Sequence, residues 1–133
     1  MLIQSIHIKS FREYRGETIL YPAWSEEKNV TLVQSGDIYT VEELYQACCW
    51  GLYGDARLWE GAMFMALEDL ARDLGDDRIP LGRVEVDLSH QDMEYHILRT
   101  ERYVDHGVFI EPRDPTVTVV RRNGQGWYET LAN

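Results

Sequence analysis

Apolar and polar residues alternate over the first ten positions, with Ile6 and Ile8 opposing His7 and Lys9. A period of two sends the two sets to opposite faces, so this stretch is predicted as a half-buried strand. The segment GETILYPA predicts a second strand, entered through a turn at Gly16 and stopped by Pro22. KNVTLVQ, residues 28 to 34, is β-branched and apolar, the composition of an inner strand. The period then changes. Val41, Leu44, Ala47, Cys48 and Leu52 recur at three- and four-residue spacing and predict an amphipathic helix. Thr40 and Glu43 read as a capping box at its start, the hydroxyl accepting from a free amide while the carboxylate reaches back. A second helix is predicted over residues 57 to 74, with Leu58, Met63, Met65, Ala66, Leu70 and Ala71 on one core-facing stripe and Gly75 to end it.

From Arg83 the period returns to two. RVEVDLS and EYHILRTERYV, joined by HQDM, predict one hairpin; TVTVVRR and GWYETLA, joined through Asn123-Gly124, predict another. DHGVFIEPRDP between them reads as a loop. Strands, two helices and then two hairpins predict an α/β fold bordering on α+β: a mixed, largely antiparallel β-sheet with two main helices packed on it. At 133 residues and 44% apolar composition the chain is one domain with a core of its own.

Composition narrows the setting. No apolar run approaches the roughly 20 residues of a membrane span, and the first residues alternate instead of forming a signal core, so a cytoplasmic protein is expected. Cys48 and Cys49 are adjacent in a helical pattern, where side chains diverge too far for an unstrained disulfide, and are read as reduced core thiols. The net charge of −10 is concentrated between Asp55 and Asp92. Such a field repels polyanions, so direct nucleic-acid binding is not expected. The cations that could oppose it are Lys9, Arg12 and Arg15 near the start and Arg99, Arg102, Arg121 and Arg122 later. Four widely spaced histidines supply no ligand pair, so neither a metal nor a cofactor is expected. Cys49 beside Trp50 reads as packing rather than a nucleophile, and Ser35-Gly36-Asp37 lacks the flanking glycines of a nucleophile elbow.

Five stretches together resemble the N-terminal lobe of the ATPase heads of the SMC, RecF and DndD-type group. IHIKSFREYRG is similar to that lobe's first strand and aromatic-basic turn; ETILYP and NVTLV are similar to its next strands; Trp50-Gly51-Leu52-Tyr53-Gly54 matches the Trp-x-Leu-Tyr-Gly run that ends its first helix. RVEVDLSHQDMEYHILRTERYV resembles the family's β-rich insert. The resemblance implies that residues 1 to 133 correspond to that lobe alone, without the C-terminal lobe and coiled coil.

The phosphate loop that the resemblance implies is degenerate. Ser35, Gly36, Asp37, Ile38, Tyr39, Thr40, Val41 and Glu42 occupy the place of G-x-x-x-x-G-K-[ST], with Thr40 on the second glycine, Val41 on the lysine and Glu42 on the Mg²⁺-holding hydroxyl. Glycines let backbone amides face the phosphates and the lysine neutralises them. Here Ile38 and Tyr39 would fill the space, while Asp37, Glu42 and Glu43 would repel a triphosphate. Two unit charges about 4 Å apart interact at roughly 4 kcal/mol at an effective dielectric near 20. The expectation is a retained strand-to-helix scaffold whose anion site is closed by its own side chains. Arg12, with Arg15, is expected to contact an anion or a carboxylate such as Asp37 or Glu42.

The resulting expectation is a non-catalytic head-lobe protein that works through protein–protein contact. Its partner would be an SMC/DndD-type ATPase, an associated subunit of a DNA-processing or defence complex, or a second copy. Trp24, Trp59, Phe64 and Tyr103 are candidate interface anchors, as aromatic residues supply most such anchors. The alternatives are a nucleotide-binding half-site completed by another chain, a nucleic-acid module on Arg99, Arg102, Arg121 and Arg122, and an acidic decoy for a DNA-binding enzyme.

Overall fold

The computed structural model describes residues 1–11, 14–22, 25, 27–28, 30–36, 38–54, 81–106, 110–126 and 128–132. Six strands follow in chain order around one helix: β1 (Leu2–Phe11), β2 (Tyr14–Leu20), α1 (Ile38–Tyr53), β3 (Leu81–His90), β4 (Met93–Asp105), β5 (Ile110–Arg122) and β6 (Tyr128–Ala132). They form one sheet in the order β2-β1-β3-β4-β5-β6, and every neighbouring pair is antiparallel.

This corrects the expected fold class. Among the described residues the fold is β-rich, a single antiparallel sheet with one helix, and not an α/β arrangement of the P-loop type. The decisive segment is 28 to 34. Its described residues belong to no strand, and Val30 and Leu32 are 84% and 86% exposed. A strand delivering a phosphate loop would be buried on both faces of a parallel sheet. β-Branched composition alone does not create a ladder; a neighbouring strand must be present to pair with it. The predicted second helix, residues 57 to 74, lies outside the described residues.

The hairpins form with altered edges. β3 and β4 are joined by Gln91 and Asp92, both at positive φ (51° and 61°), the two-residue turn whose twist matches its strands. β2 begins at Tyr14, before Gly16, so Gly16 is not its turn. That glycine instead sits at φ 72° where the β1–β2 register slips between Lys9 and Phe11. β5 runs through most of the predicted loop, with Pro112 paired to Tyr103 and Pro115 inside the strand. Prolines fit there because β6 pairs with Val119 to Arg122, which leaves the earlier part of β5 with β4 as its only neighbour among the described residues. The second hairpin closes at the predicted place but not with a two-residue Asn-Gly turn: Asn123 stands first in the turn, and the positive φ (85°) falls at Gly126 rather than Gly124. Asn123 accepts from the Gly126 amide at 2.9 Å through its carbonyl and from the Gln125 amide at 3.0 Å through its side chain.

α1 lies across β1, β3 and β4 on one face of the sheet. Ile6 stands opposite Val86 and Ile8 opposite Val84, and these four, with Leu88 and Phe11, meet Leu44, Ala47 and Trp50 of the helix. Each such side chain, fully buried, contributes about 1.5–3 kcal/mol. Gly51 sets the closeness of approach, since a Cβ there would stand 2.7 Å from Val84 Cγ1. The helix ends at Gly54, whose φ of 71° and 2.8 Å hydrogen bond to the Trp50 carbonyl make the left-handed C-terminal cap. It begins at Ile38, two positions before Thr40, so the predicted capping box is not the start of this helix.

Candidate functional site

Two concave regions stand on opposite sides of the sheet. The first is apolar and lies on the helix side at the β2 edge. A cleft of about 330 Å³ is walled by Ile6 and Leu20 of the sheet and by Val41, Leu44 and Cys48 of α1. Thr31 and Val33, from the segment between β2 and α1, also line it, while Val30 and Leu32 are 84% and 86% exposed. At the rim Tyr21 is 73% and Tyr45 58% exposed. Burial, then the neighbouring Cys49, pushes the Cys48 thiol up to about 11, so it is an uncharged part of the wall. Both cysteines are free.

The second region lies on the uncovered polar face. Ser5, Asp87 and His96 form one cross-strand row over β1, β3 and β4. The Ser5 hydroxyl donates to Asp87 Oδ2 at 2.6 Å, and His96 Nδ1 lies 2.7 Å from Asp87 Oδ1. His96 Nε2 is 3.8 Å from Glu85, a buried carboxylate that also pairs with Arg83. Burial by itself would raise the Asp87 carboxyl, but the hydrogen bonds from Ser5 and His96 and the charges of His96 and His7 outweigh it and hold the group below its usual value. A shallow cleft of about 210 Å³ adjoins it, bounded by Gln4, Glu94, Arg122 and Tyr128. An Asp-oriented histidine can act as a general base. Ser5, however, donates to the aspartate and not to the imidazole, so the row is not a nucleophile–base–orienter relay. Among the described residues no group of three or more histidine, cysteine or acidic side chains could hold a metal ion.

The residues expected to form the degenerate phosphate loop separate into distinct settings. Ser35 and Gly36 are exposed and lie outside any strand; Ile38, Tyr39, Thr40, Val41 and Glu42 belong to the first turns of α1. Val41 lines the apolar cleft. Asp37 and Arg12 lie outside the described residues, as do Trp24, Trp59 and Phe64, whereas Arg15 lies in β2 and Tyr103 in β4. The expected anion contact between Arg12 and Asp37 therefore also falls outside them.

The four later arginines do not line one strip. Arg99 shares the helix side with Trp50, its guanidinium 5.8 Å from that ring and its Nε 3.4 Å from the Gly51 carbonyl. Burial lowers its pKa, and the end of the helix supplies a compensating partial negative charge. Arg121 is on the same side and pairs with Glu129, its cross-strand neighbour; Arg122 is on the other, 3.6 Å from Glu94 and over the Tyr128 ring.

Sequence reading missed the polar row and the outward pair Val30 and Leu32. The row was within reach: a two-residue turn at Gln91-Asp92 sets Asp87 opposite His96 by register alone. None of the described helices is long and apolar enough to cross a membrane. No protein-family model matches this chain, and no curated protein does so either.

Proposed function

We propose that this chain is a non-catalytic binding module that works through protein–protein contact at the β2 edge. The observation that carries this reading is the exposure of Val30, Leu32, Tyr21 and Tyr45 around an apolar cleft. Exposed apolar surface of this kind costs free energy in water and gains it back when a partner covers it. The aromatic anchors are thus Tyr21 and Tyr45, two of the residue type most favoured at interfaces. The partner suggested by the sequence resemblance is an SMC/DndD-type ATPase or a subunit associated with one, and that part of the reading rests on the resemblance alone.

The test is affinity capture with chemical cross-linking, comparing the wild-type chain with the double variant Val30→Asp/Leu32→Asp. Proteins held by the wild type are expected to be lost by the variant while its melting temperature is unchanged. The same proteins cross-linked to both would overturn the reading. Calorimetric binding of Mg-ATP tighter than millimolar would replace it with the nucleotide half-site.

A further inference from the structure

We draw no further inference here: the strongest candidate, the Ser5–Asp87–His96 row and the shallow cleft beside it on the polar face of the sheet, carries nothing, since its polar groups already pair with one another, Asp87 with Ser5 and His96 and Glu94 with Arg122, and nothing there points to a ligand.

Discussion

Ile6-His7-Ile8 and Val30-Thr31-Leu32-Val33 are near equals in composition and pattern, yet one is the centre of the core and the other is largely in water. β1 has β2 on one side, β3 on the other and α1 above, so Ile8 is completely buried. Residues 30 to 34 border the cleft through Thr31 and Val33 and belong to no strand. What separates them is the supply of neighbours, because strand propensity is realised only through cross-strand pairs and a covered face.

The sharpest break of that comparison comes from the covered side. Trp50→Ala removes a buried ring that touches Phe11 and the Arg99 guanidinium, and should cost about 3–5 kcal/mol in denaturant unfolding. Gly51→Ala should cost about 1–3 kcal/mol, since the new methyl meets Val84 on a close-packed strand. Gln46→Met should raise stability by about 1 kcal/mol. The Gln46 amide is buried with no hydrogen-bond partner for either atom among the described residues, and the thioether removes that unmet demand. At the other extreme Leu32→Ala should change stability by no more than about 0.5 kcal/mol, because its side chain is already solvated. A loss of the size expected for Trp50→Ala would place Leu32 in a core.

The polar face lies between these extremes and is best read through pH. Asp87 is held below the ordinary carboxyl value of about 3.9, so its contribution is fully present above that value and is lost as pH falls through the lower folded value. Asp87→Asn should therefore make stability fall less steeply below about pH 4 than in the wild type, with little difference in slope at neutral pH. Equal slopes in the acid range would mean that the Ser5 and His96 contacts do not act on the carboxylate.

Much of the sheet could be read in the chain. Alternation around Ile6, Val84 and Ile97 located β1, β3 and β4, and Asn123-Gly124 located the last turn, because strand period and turn chemistry are local properties. The position of residues 30 to 34 was not legible, since pairing depends on distant segments that no local pattern specifies. Neither was the extension of β5 through Pro112 and Pro115, on a stretch that among the described residues has β4 as its only neighbour. Of the candidate site, Val41 and the Trp50-to-Gly54 helix end were visible in the sequence; the outward pair Val30 and Leu32 was mistaken for core.

Amide hydrogen exchange on the free chain tests the central claim most directly. Amides at Ile8, Val84 and Val86 should be strongly protected, while those of Val30, Leu32 and Val33 should exchange near the rate of an unstructured peptide. Protection at Val30 to Val33 equal to that at Ile8 would show a paired inner strand and contradict the account.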